Sequence, residues 1–153
     1  MDLIITQEAD PEPYWDMLLL ADPSKAAVEQ YLAAGKLYAA EWDDTVVGIY
    51  VLLQLDGPLW ELKNIAVTPE WQGKGVGKAL IAAAASSAKE LGAEKLEVGT
   101  GNSSINQLAF YQKAGFRMQR IAKNYFTLNY GEPIFENGIH CRDMVILAMC
   151  LKD

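Results

Sequence analysis

Between a strand-like apolar run, Ile65-Ala66-Val67, and a helix-forming run, Lys78-Ala79-Leu80-Ile81-Ala82-Ala83-Ala84-Ala85, the chain carries Gln72-Gly73-Lys74-Gly75-Val76-Gly77. A glycine-rich turn leading from a strand into a helix aims several backbone N–H groups and the positive end of the helix dipole at one point, and such a point attracts phosphate. A tight turn without a ligand would also use glycine. Here, however, Lys74 and Lys78 are interleaved with the glycines. Spacing excludes two familiar phosphate motifs. A G-x-x-x-x-G-K-[ST] loop fails because Gly73 and Gly77 are one residue too close and Ala79 follows Lys78; a G-x-G-x-x-G fingerprint is also off by one. The pattern that fits is Gln-x-x-Gly-x-Gly, at Gln72, Gly75 and Gly77.

The rest of the chain reads as alternating strands and helices. A short strand is expected over 3–6 and a helix from Pro13 to about Leu20, with a second helix capped by Ser24 and ended by Gly35. Strands over 37–42 and 46–55 are joined at Asp43-Asp44-Thr45 as a hairpin, and a third covers 59–67. The helix after the glycine turn shows Val76, Leu80, Ala84, Ala88 and Leu91 on one face and stops at Gly92. A strand over 95–100, a helix over 104–114 capped by Gly115, and a strand over 116–122 follow. Residues 123–140 read as irregular, a long polar loop suited to the wall of an acceptor pocket, and 144–151 as a closing edge strand of the kind that serves homodimers. The expected fold is α/β: a single domain over 1–153 with a mixed, twisted central sheet of six to seven strands and helices on both faces.

Composition narrows the partners. With 153 residues, 51% hydrophobic, the chain can bury a core in one domain. A net charge of −7 argues against nucleic acid. It suits a cationic small molecule, although acidity also serves solubility alone. Cys141 and Cys150 show neither metal-ligand spacing nor a disulfide framework, so no metal is expected and a reducing, cytoplasmic setting is the default. The acidic start, Met1 to Glu8, lacks a signal-peptide pattern, and no apolar run approaches a membrane span.

Two segments and the element order together resemble the GNAT superfamily, the GCN5-related N-acetyltransferases. The first segment is Asn64-Ile65-Ala66-Val67-Thr68-Pro69-Glu70-Trp71-Gln72-Gly73-Lys74-Gly75-Val76-Gly77-Lys78, similar to that family's strand and pyrophosphate loop. The second is Ala109-Phe110-Tyr111-Gln112-Lys113-Ala114-Gly115-Phe116, similar to its Tyr-x-Lys-x-Gly-Phe segment. The tail from Asn129 to Met144 resembles that of a bacterial subgroup of uncharacterised GNAT proteins. The resemblance implies acetyl-CoA bound between two splaying strands, 59–67 and 95–100. The strand Ile65, Ala66 and Val67 would meet the acetyl and pantetheine end, and the N–H groups of Gly73, Lys74, Gly75, Val76, Gly77 and Lys78 would hold the pyrophosphate. Many members place an asparagine seven residues before the tyrosine; here that position is Ser104, flanked by Asn102 and Asn106, and Asn106 is the expected substitute.

Direct acetyl transfer to a primary amine needs an unprotonated amine, donors for the oxyanion and a proton for the departing thiolate. An alkylammonium, with a pKa of about 10, has no free lone pair. Tyr111 matches the family's acid tyrosine, against the alternative of a packing residue or one that only shapes the CoA site. Glu61 is the candidate base or substrate anchor. Strand alternation puts it on one face with Leu59, Lys63 and Ile65 unless a bulge intervenes, and the plainer alternative is a side-by-side surface pair with Lys63. Glu136 and Asp143 could bind a cationic acceptor; His140, the only histidine, is more simply a solvated loop residue. The expected activity is acetyl transfer from acetyl-CoA to a small cationic amine. The alternatives are a protein lysine or N-terminus as acceptor, or a module that binds acyl-CoA without turnover.

Overall fold

A computed structural model describes residues 2–152. The chain forms two compact units, Met1–Leu96 with Leu151–Asp153, and Glu97–Cys150.

The first unit opens with β1 (Ile4–Glu8), a tight helical turn at Glu12–Tyr14, α1 (Trp15–Ala21) and α2 (Lys25–Leu32). Ser24 caps α2, its side chain accepting the Ala27 N–H at 3.2 Å. β2 (Lys36–Trp42), β3 (Thr45–Asp56) and β4 (Leu59–Val67) follow, then α3 (Val76–Glu90). β1 to β4 pair in sequence order, each antiparallel to the next. The β2–β3 connection is the expected hairpin: Asp43 and Asp44 both take positive φ, 52° and 60°, which matches the right-handed twist of the flanking strands.

Period-two alternation puts helices on both faces of this sheet. Leu37, Ala39, Ile49, Val51 and Ala66 share one buried cluster with Met17, Leu18, Val28 and Tyr31 of α1 and α2. The intervening residues of β3 meet α3. Tyr50 stacks on Tyr38 at 4.9 Å and its hydroxyl bonds Ser87 at 2.7 Å, while a Cβ at Gly48 would overlap Leu80. Of the predicted α3 stripe, Val76, Leu80, Ala84 and Ala88 are fully buried, and Leu91, the C-cap, is half-buried.

β5 (Lys95–Gly101) starts in the first unit and runs into the second, which adds α4 (Ile105–Lys113), β6 (Arg117–Ala122), α5 (Tyr125–Asn129), β7 (Ile134–Glu136), β8 (Ile139–Cys141) and β9 (Met144–Cys150). Two expectations are corrected here. Residues 123–140 are not irregular: they hold α5 and a two-stranded β7–β8 hairpin. Its turn is Asn137-Gly138, both at positive φ, 55° and 72°. β9 is not an edge strand either, because the order β5-β9-β6 places it between two neighbours and leaves β6 outermost. With these additions the chain supplies the expected mixed α/β set, seven main-sheet strands besides the β7–β8 pair.

Candidate functional site

The expected site residues fall in both units. The glycine turn, Ile65 to Val67 and Glu61 lie in the first; Tyr111, Asn106, Glu136 and Asp143 lie in the second.

After β4, Thr68 N–H returns to the Val47 carbonyl at 2.9 Å and a tight turn at Pro69–Trp71 redirects the chain. The Gln72 side-chain amide donates to the Val67 carbonyl at 3.1 Å, pinning the loop to the end of the strand. Gly73 and Gly75 then take φ of 76° and 84°. A Cβ at either would meet nothing within 4 Å. Glycine is therefore required here by backbone handedness, and the space before the turn is open. Gly75 is the N-cap of α3, and no side chain caps that helix. The first turn's N–H groups have no intrahelical partner, so they face outward beside exposed Lys74 and Lys78. Lys74 lies over the Trp71 ring, its Nζ 5.4 Å from the centroid.

In β4 the alternation breaks. Val51 pairs with Asn64 but Leu52 with Leu62, so Lys63 is an extra residue, a β-bulge. A one-residue slip reverses the faces. Ile65 stays opposite Tyr50, on the α3 side. Glu61, paired with Leu53, turns with Lys63 toward α2. The expected shared face of Glu61 and Ile65 is thus corrected. Lys63 Nζ lies 3.9 Å from Glu61 Oε2 and 5.6 Å from the centroid of the Tyr31 ring. Next to them Asn64, 3% exposed, donates through Nδ2 to the Leu18 carbonyl at 3.0 Å and to the Tyr31 hydroxyl at 2.9 Å, and its Oδ1 has no partner. Burial, above all, pushes the Tyr31 phenol up to about 12.

Tyr111 lies in the last turn of α4 and is buried. The helix closes in a Schellman motif: Phe116 N–H donates to the Tyr111 carbonyl at 3.0 Å and Gly115 N–H to the Gln112 carbonyl at 3.1 Å. Gly115 takes φ of 111° to allow it. The motif's apolar contact is the edge-on pair of Tyr111 and Phe116, 5.7 Å between centroids. Burial pushes the Tyr111 phenol up to about 12, so the hydroxyl keeps its proton through the neutral range.

At the other end of α4, Ser104 is the N-cap, yet its side chain does not cap the helix. Its hydroxyl donates instead to Glu136 Oε1 at 2.9 Å, and the buried Ser103 hydroxyl donates to the same oxygen at 3.2 Å. Asn137 Nδ2 donates to the Ser103 carbonyl at 2.8 Å. Asn102 completes the strap: Oδ1 accepts the N–H groups of Arg142 and Asp143 at 2.8 and 2.9 Å, and Nδ2 donates to the His140 carbonyl at 3.1 Å. Asp143 Oδ1 accepts the Asn124 N–H at 2.8 Å. Glu136 and Asp143 are therefore engaged within the chain, and Asn106 is exposed on the first turn of α4. His140 accepts from Arg142 Nε at Nδ1, 2.9 Å, and stacks on Phe135 at 4.9 Å. Sequence reading missed the strap. Asn137-Gly138 between two apolar-polar triplets was its available signal.

The model of the acetyltransferase (GNAT) family matches residues 5–116, well over half of the chain and through the Tyr111 segment. The chain belongs to this family. The uncharacterized N-acetyltransferase YvbK of Bacillus subtilis (strain 168) is 52% identical over 145 residues, 95% of this GNAT chain and 93% of the relative. A Bacillus subtilis acetyltransferase crystallised in complex with CoA superposes with a TM-score of 0.91 at 49% identity, covering 97% of this chain and 99% of that one. A GNAT family acetyltransferase from Elizabethkingia anophelis with acetyl-CoA bound gives a TM-score of 0.89 at 47% identity, with 97% of both chains covered. This GNAT chain is thus an acetyltransferase with the family's mixed α/β fold. Among the described residues no His, Cys, Asp and Glu cluster could hold a metal, and no helix is long and apolar enough to cross a membrane.

Proposed function

We propose that the chain is a single-domain, cytoplasmic enzyme that transfers the acetyl group of acetyl-CoA directly to a primary amine on a small cationic molecule. The observation that carries this reading is the start of α3: a left-handed Gly75 in place of a side-chain cap, flanked by two lysines. Such a terminus suits the pyrophosphate of CoA. Near-complete superposition on chains holding CoA or acetyl-CoA supports that choice of ligand.

In this reading the N–H groups of Gly73 to Lys78 hold the pyrophosphate, Gln72 fixes the loop, and the backbone of Ile65, Ala66 and Val67 meets the pantetheine and acetyl group. Asn106 lies along the cofactor. The free amine attacks the thioester carbonyl, forming the C–N bond and an oxyanion that backbone donors stabilise. The intermediate then breaks its C–S bond, and Tyr111 supplies the proton that the thiolate takes. Glu61, held by Lys63, receives the amine's proton through water or anchors the cation. Glu136 and Asp143 act through the wall they tie together. The net charge of −7 favours a cationic acceptor.

Purified protein with acetyl-CoA and a panel of diamines, amino sugars and peptide amines tests this. Release of CoA thiol with a small amine is expected. Turnover only with peptide amines would replace the acceptor class, and tight acetyl-CoA binding without thiol release from any amine would favour a non-catalytic module.

A further inference from the structure

Away from these residues, the first unit holds a cavity of about 530 Å³ between the end of β1, Trp15 and α2. On the α2 side it is lined by Lys25, Glu29 and Leu32, with Ala33 just past the helix end. The volume is within the range of small-molecule sites. Its floor is apolar, from Pro11, Trp15, Leu32 and Leu37, and its carboxylates are Glu8, Glu12 and Glu29. Tyr14 hydrogen-bonds Glu8, whereas Glu12 and Glu29 are exposed.

Lys25 Nζ sits over the Trp15 ring, 5.0 Å from its centroid. The indole face thus already holds an ammonium, which belongs to the protein itself. The Trp15 Nε1 itself is buried without an acceptor. Once the flexible Lys25 side chain swings aside, three carboxylates and the ring face only Lys36 among the lining cations. We propose that this cavity is a second binding site, for a small organic ammonium that takes the place of Lys25 over Trp15. Ring quadrupole and carboxylates favour the same charge there.

Because the site goes beyond acetyl transfer, its test needs no turnover. The Trp15 indole N–H resonance, assigned by its loss in Trp15→Phe, is followed while butylammonium or tetramethylammonium chloride is added at constant ionic strength. A saturable shift is expected, with the indole signals of Trp42, Trp60 and Trp71 unmoved. Lys25→Met removes the competitor and tightens binding about threefold or more; Glu12→Gln with Glu29→Gln, both on exposed positions, weakens it about tenfold. No shift at tens of millimolar would overturn the proposal. So would a shift that both sets of variants leave unchanged, or one produced equally by sodium acetate.

Discussion

The Phe116 ring meets Tyr111 edge-on at 5.7 Å while its N–H donates to the Tyr111 carbonyl at 3.0 Å. Side chain and backbone of the proposed proton donor are thus seated by one residue, and Gly115 makes that seat possible. A Cβ at Gly115 would meet only Met149 Cε at 3.5 Å, an ordinary contact. The strain of Gly115→Ala therefore lies in the backbone at φ 111°. It is expected to cost about 1–3 kcal/mol, read by urea denaturation, and to lower kcat more than it weakens acetyl-CoA binding.

Tyr111→Phe keeps the ring and removes the proton. Turnover is expected to fall about 100-fold or more, with the Kd for acetyl-CoA within about twofold of the parent. A Kd that moves as much as kcat would assign Tyr111 to cofactor packing.

The phenols also set a pH limit on stability. Burial raises Tyr31, Tyr50 and Tyr111 to about 12 in the folded chain, against about 10 unfolded. The folded state holds these protons more tightly, so their contribution is complete below pH 10. It is lost as pH rises from about 10 to 12, where the unfolded chain ionises first. The urea midpoint should drop between about pH 10 and 12, and Tyr111→Phe should lessen the drop.

Gly75→Ala and Gly92→Ala make a matched pair. Both residues have positive φ, 84° and 94°, and open space where a Cβ would go. Each substitution is expected to cost about 1–2 kcal/mol of stability. Only Gly75→Ala should weaken acetyl-CoA binding, at least tenfold by calorimetry. Equal loss in both would separate the turn from the cofactor.

Glu136→Ala removes the shared acceptor of Ser103 and Ser104. Ser103 is fully buried, so its unpaired hydroxyl should cost about 1–3 kcal/mol. Amide exchange should quicken over the first turn of α4 and the β7–β8 hairpin, with little change in α3.

Much of this was legible from local chemistry. The glycine turn, the Asp43-Asp44 hairpin and the α3 stripe each rest on residues adjacent in sequence or one helical turn apart. The Gly115-Phe116 closure was visible for the same reason. Asn137-Gly138 carried an equally local signal, but Gly131 and Pro133 just before it read as loop. The Lys63 bulge was not legible, because it exists only in the register between β4 and β3. Nor were the partners of Glu136 and Asn102, which come from residues more than thirty positions away.

The Lys63 bulge divides β4 into two independently addressable halves. Upstream of it, Glu61 answers to Tyr31 and α2; downstream, Ile65 answers to Tyr50 and α3. A strand of unbroken alternation would bind these two environments into one pattern. On the proposed reading, substitutions at 61 and 63 would change what an acceptor meets while the cofactor-facing backbone at 65–67 keeps its place, which makes this short stretch the natural target for redirecting the enzyme to another amine.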